Sequence, residues 1–184
     1  MKFFQNKIVA IVIAVVVVIA STCISGSVGL SNACDDTEAA FFSVKGGKAP
    51  AYYVDQQISA AASLAAIGDH YADLGEVTEN LRAARRKLVD AYEDKDIEDI
   101  AEACSELREQ VDVFAARVQN VLLSENDSRT YADDLATLNG TRNMLLSSSY
   151  NKTVDKFMRT VYNRFPATLF AGLFDVDAPA QFAD

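Results

Sequence analysis

Tryptophan is absent from this chain of 184 residues, histidine occurs once, proline and cysteine three times each, and glycine eight times. So few turn formers exclude a many-stranded β fold, whose short strands need a turn about every 8–12 residues. The single His70 cannot supply the several His or Cys ligands that a zinc site requires at close spacing. Set with Asp69 and Tyr71 between Gly68 and Gly75, it reads as a solvated or core-edge residue at a chain break. Cys23, Cys34 and Cys104 form an odd set without a spacing pattern, which excludes a disulfide framework. Cys104 reads instead as a small core residue. P-loop, dinucleotide-binding and serine-nucleophile signatures are missing. The expectation is a protein that is not an enzyme, with no catalytic, metal or cofactor-binding residues and no cofactor.

Positive charge is also scarce. Seventeen Lys and Arg stand against 26 Asp and Glu, a formal charge of −9, or −11 once Lys2 and Lys7 at the N-terminus are set aside. Such a surface repels phosphate backbones, so nucleic acid is not an expected partner. The acidic run Asp90, Glu93, Asp94, Asp96, Glu98, Asp99 and Glu102 lacks the glycine and terminal glutamate of a calcium loop. It reads as helix-end charge and a solvated face. Arg82, Arg85, Arg86 and Lys87 make a small basic patch in which Glu79 can pair with Arg82. Asn126, Asn139 and Asn151 fit the glycosylation acceptor pattern, a short pattern that also arises by chance.

One long apolar run is present. Residues 8–20 carry no polar side chain, and the uncharged region extends to Leu30. As a helix, residues 8–30 reach about 34 Å at about 1.5 Å per residue, enough to cross a hydrocarbon core of about 30 Å. The expected lipid-facing residues include Ile8, Val9, Ile11, Val15, Val18, Ile19 and Leu30. A retained single-pass anchor is the preferred reading; a cleaved signal peptide and a lipoprotein are the alternatives. Lys2 and Lys7 precede the run, and the next basic residues are Lys45 and Lys48. By the positive-inside rule this places the rest of the chain outside the cytoplasm.

Residues 31–50 read as a linker with a short helix over about 35–44, broken by Gly46, Gly47 and Pro50. Residues 51–184 then form a helical domain. A span from Ala51 to about Glu93 carries Val77, Leu81, Ala84, Leu88 and Ala91 at helical spacing, with a break expected near 68–75. Ile97, Ile100, Cys104, Leu107, Val111, Phe114, Val118 and Val121 make the clearest apolar seam, with Asp96 as N-cap. A third long helix is expected from about Ser128 to Arg164, with a kink admitted at Gly140 and a stop at Pro166. The segment 167–174 adds an apolar turn or two. The predicted fold is all-α: an N-terminal transmembrane helix followed by an antiparallel bundle of three to four long helices.

The C-terminal stretch carries a pattern of Tyr150-Asn151, Val154, Asn163, Phe165-Pro166, Ala171, Phe174 and Phe182. It resembles the end of LemA family proteins, and Ala84-Arg85 and the heptad helix after it fit the family's upstream order. The family's Arg-Arg-x-Asp-Leu-Ile-Pro-Asn-Leu-Val-like segment is missing, and Ser147 stands where an Arg is usual, so the resemblance is to a divergent member. It implies a membrane-anchored bacterial helical bundle and no established activity. On the helical wheel Tyr150, Val154, Phe157 and Val161 share a core face, and Asn151 flanks it as a register-fixing polar residue. Tyr150, Asn151, Asn163 and Pro166 are the candidate polar network or interaction residues. The expected role is an envelope interaction or assembly module, with the lipid bilayer and a protein as partners and a homo-oligomer allowed. The alternative is an extracytoplasmic ligand-binding or sensory bundle that acts through a partner.

Overall fold

The computed structural model describes residues 7–43 and 47–182, with the side chains of all of these except 7–10 and 12. Lys2 and residues 44–46 of the expected linker lie outside the described residues, as do the side chains of Ile8 and Val9. All regular structure among the described residues is helical: α1 (Lys7–Phe42), α2 (Pro50–Gly68), α3 (Gly75–Asp94), α4 (Ile97–Val118), α5 (Glu125–Leu146), α6 (Tyr150–Phe157) and α7 (Ala167–Phe174). A 3-10 turn at Ala72–Leu74 precedes α3, and one π-helical turn at Met158–Tyr162 follows α6.

The chain divides into two compact units, one made of Met1–Thr37 with Thr153–Pro179, the other of Glu38–Lys152 with Ala180–Asp184. The first holds α1 up to Thr37; the whole helix has 36 residues and is about 54 Å long. Among the described residues it is the helix long and apolar enough to cross a membrane. From Ile13 to Ile19 its large side chains are exposed in every direction. Farther along, Ser27, Leu30, Cys34 and Thr37 form a buried stripe at steps of 3, 4 and 3. Leu30, expected to face lipid with the others, belongs to that stripe and is 5% exposed. The expected linker is a second difference, because residues 31–42 continue α1 without a break. No Gly or Pro interrupts them, and their apolar residues extend the same stripe.

In the second unit α2 packs against α3 and α5, and α3 packs against α4. Pro50 opens α2 at the first helical position, where its missing N–H costs nothing. The break expected at 68–75 is present, and Gly68 has a packing reason: a Cβ there would collide with Thr78 Oγ1 on α3. In α3 the buried positions are Thr78, Leu81, Ala84, Leu88 and Ala91, so Thr78 rather than Val77 opens the inner face. The α4 seam is buried from Ile97 through Val118. Its N-cap is Asp96, whose carboxylate accepts the Asp99 N–H at 3.0 Å. Some surface charges pair within the unit: Arg82 binds Glu79 at 2.7 Å and also Asp69, and Lys87 binds Glu106 at 2.7 Å.

The single helix expected over 128–164 is instead three pieces. Gly140 sits inside α5 with open space around it and makes no break. The break falls at residues 147–149, a run of three serines whose hydroxyls compete for backbone groups. Ser147 Oγ donates to the Met144 carbonyl at 3.3 Å. The π turn is the second departure. Asn163 N–H reaches back five residues to the Met158 carbonyl at 2.9 Å, so one extra residue enters the turn. Val161, assigned to the core face by strict α periodicity, is 40% exposed as a result. Tyr162 turns inward beside it and donates to the Val176 carbonyl at 2.6 Å.

Core truncation should separate buried from surface leucines. Leu81→Ala should lower unfolding free energy by about 2–5 kcal/mol. Leu122→Ala, at a residue 95% exposed, should change it by less than about 0.5 kcal/mol. Denaturant unfolding of the full chain in detergent, followed by circular dichroism, checks both.

Candidate functional site

The helical unit 38–152 holds the C-terminal segment with a polar and aromatic clasp. Tyr150 opens α6, fully packed, and its hydroxyl donates to the Ala180 carbonyl at 2.7 Å. Asn151 uses both ends of its amide: Nδ2 donates to the Phe182 carbonyl at 2.6 Å, and Oδ1 accepts the Phe182 N–H at 3.0 Å. The side chain thus satisfies both backbone groups of a residue that lies outside any helix. Glu38 accepts the Ala180 N–H at 2.8 Å. Phe41 is the centre of the aromatic part, edge-on to Tyr150 at 5.2 Å and stacked on Phe182 at 5.7 Å. Burial, with the Glu38 carboxylate as a second cause, pushes the Tyr150 phenol above its usual range. It remains a donor at neutral pH.

The four expected network residues are divided between the two units. Tyr150 and Asn151 meet at the clasp, whereas Asn163 and Pro166 belong to the other unit. Asn163 ends the π turn, and Pro166 starts α7, its carbonyl accepting the Leu169 and Phe170 N–H groups at 3.0 and 3.2 Å. Of the expected anchor residues, Ile11, Val15, Val18 and Ile19 are exposed. Nothing in the local sequence marks Glu38 or Phe41 as clasp residues, because their partners lie about 140 positions away.

A second polar cluster joins the end of α2 to the start of α5. Ser124 caps α5, accepting the Asp127 N–H at 3.1 Å. Ser124 N–H donates to the Tyr71 hydroxyl at 2.8 Å, which in turn donates to Asp127 Oδ2 at 2.7 Å. Ser124 Oγ and His70 Nδ1 reach the same oxygen at 2.9 and 3.3 Å. The set contains a serine, a histidine and an aspartate but not in the order that activates a nucleophile. A catalytic serine must donate to the histidine; here both address the carboxylate. The cluster works as a structural hub. No group of three His, Cys, Asp or Glu side chains among the described residues is placed to hold a metal ion.

The same unit has an apolar cleft between α4 and α5, lined by Leu107, Val111, Leu138 and Leu145, with Gln57 of α2, Phe182, Arg108 and Arg142 also in its lining. Comparison with known proteins places nothing beside this arrangement: no family model, curated protein or solved structure matches the chain.

Two substitutions test the clasp and the hub. Asn151→Ala removes both bonds to Phe182 and should cost about 1–3 kcal/mol, with loss of exchange protection at the Phe182 amide; exposed Lys152→Ala should leave that amide protected. At the hub, the Tyr71 hydroxyl first, then Ser124 and His70, hold the Asp127 carboxyl below its usual range, against the opposing effect of burial. Its contribution to stability is present above the unfolded value of about 3.9 and is lost as pH falls through the lower folded value. Acid unfolding of Asp127→Asn should therefore show a shallower loss of stability below about pH 4.

Proposed function

We propose that this protein is a membrane-anchored, non-enzymatic helical module of the bacterial envelope, a divergent LemA-like bundle that serves interaction or assembly. The observation that carries this reading is the bare part of α1. Its large apolar side chains from Ile13 to Ile19 are exposed, and covering such a surface with lipid is strongly favourable. Thr22, within the same region, keeps its hydroxyl satisfied by donating to the Val18 carbonyl at 2.8 Å, as a membrane helix requires.

The packed helices of the second unit, α2 to α5, form the antiparallel bundle in this proposal, on the extracytoplasmic side. The arrangement of Ser124, His70 and Asp127 supports a non-catalytic role, since no side chain there is activated for attack. The apolar cleft at Leu107 and Leu138 favours the second reading, a ligand-binding bundle that acts through a partner.

Orientation and partnership are tested together on Leu122, in the exposed connection between α4 and α5. Cys34 is buried, so an introduced Leu122→Cys is the better reporter. An impermeant thiol reagent should label it in intact cells stripped of outer barriers; labelling only after permeabilisation would place the bundle in the cytoplasm. A photocrosslinker at the same position should capture a discrete protein partner in native membranes. A higher melting temperature with a small amphipathic ligand, and no captured protein, would favour the second reading.

A further inference from the structure

The hairpin 153–179 carries an apolar surface of its own. No charged residue occurs between Phe165 and Phe174, yet Phe165 is 82% and Leu173 61% exposed, and Leu169 and Phe174 are also exposed. Within the unit that α7 shares with α1, another side of α7 is half-buried: Phe170 lies so close to Gly26 that a Cβ there would collide with its ring. The same groove includes Gly29, Leu30 and Ala33 of α1 with Phe165 and Arg164 of the hairpin. This contact fixes the level of α7 along α1. Counting about 30 Å of hydrocarbon from Ile8 at about 1.5 Å per residue ends the core near residue 28. Gly26 to Ala33 straddle that edge.

We propose that α7, with Phe165 ahead of it, is a second membrane-contacting element, lying in the bilayer interface beside the point where α1 leaves the hydrocarbon. This rests on the reading of α1 as a retained anchor. Three observations select lipid as the occupant. At the level of Gly26 the other side of α1 is also bare, with Ile24 and Val28 exposed, so both helices present uncovered apolar side chains there. The backbone is prepared for a dry environment. Pro166 has no N–H to satisfy, and the amides of Thr168, Leu169 and Phe170 donate to carbonyls of Arg164 and Pro166 at 3.0–3.2 Å. Finally, the segment 153–179 is neutral in an acidic chain, since Asp155, Asp175 and Asp177 are matched by the basic side chains of Lys156, Arg159 and Arg164, all placed before α7. Such side chains reach the headgroups while their stems lie along apolar surface, and they favour anionic lipid.

The absence of tryptophan gives a direct test. The full chain carrying Leu173→Trp, and separately Val18→Trp, is reconstituted into vesicles of phosphatidylcholine and phosphatidylglycerol, with or without lipids brominated on the acyl chain. Leu173→Trp should emit at short wavelength and lose most of its intensity to lipids brominated near the headgroup, while Val18→Trp is quenched by deeper bromines. If Trp at 18 is quenched and Trp at 173 is not, α7 stands clear of lipid and the proposal fails while the anchor stands. Short-wavelength emission at 173 without quenching would mean that protein, such as a second copy, covers the face, which also overturns it. No quenching at either site would overturn the anchor reading together with the proposal.

Discussion

The apolar surface of α1 that the rest of the chain leaves open is the constraint on which the account depends. A helix of 36 residues with bare valines and isoleucines over two turns cannot remain in water without a large hydrophobic cost. Farther along the same helix, a buried stripe replaces the all-round exposure. One continuous element thus changes environment along its length, from side chains with no cover to side chains packed in protein. This change explains why Leu30 differs from Val15 and Val18 although all three are apolar.

The second unit is held by a different kind of interaction. Leu81, Leu88, Ile100, Leu107 and Phe114 are fully buried and lie on α3 and α4, the pair with the strictest apolar periodicity. The polar groups fasten ends rather than middles. Asp127 collects three donors where α2 and α5 approach, and Asn151 pairs with the backbone of Phe182 where the chain finishes. In both places a side chain substitutes for backbone partners that a helix terminus or an extended tail lacks.

How far the sequence predicts this depends on the range of the forces. The α4 helix is legible because its seam and its Asp96 cap are local and repeat at a fixed period. The break at Gly68 is legible because Gly68 and Gly75 punctuate the helical pattern locally. Two features are not. The serine break at 147–149 and the π turn after Phe157 change register by one or a few residues, and apolar periodicity is blind to such insertions. The clasp is legible in part: Tyr150, Asn151 and Phe182 stand out in the family-like pattern, whereas their pairing with one another and with Glu38 and Phe41 is a tertiary event. Asn163 and Pro166 share that pattern but end a turn and start a helix in the other unit.

The central claim is that α1 stays in the mature protein and spans a bilayer. Alkaline carbonate extraction of membranes from cells making the full chain tests it most directly, since this treatment strips peripheral and soluble proteins. The account predicts that the protein remains in the membrane pellet. Recovery in the supernatant, at the mass of a chain lacking residues 1–33, would contradict it and point to a cleaved signal.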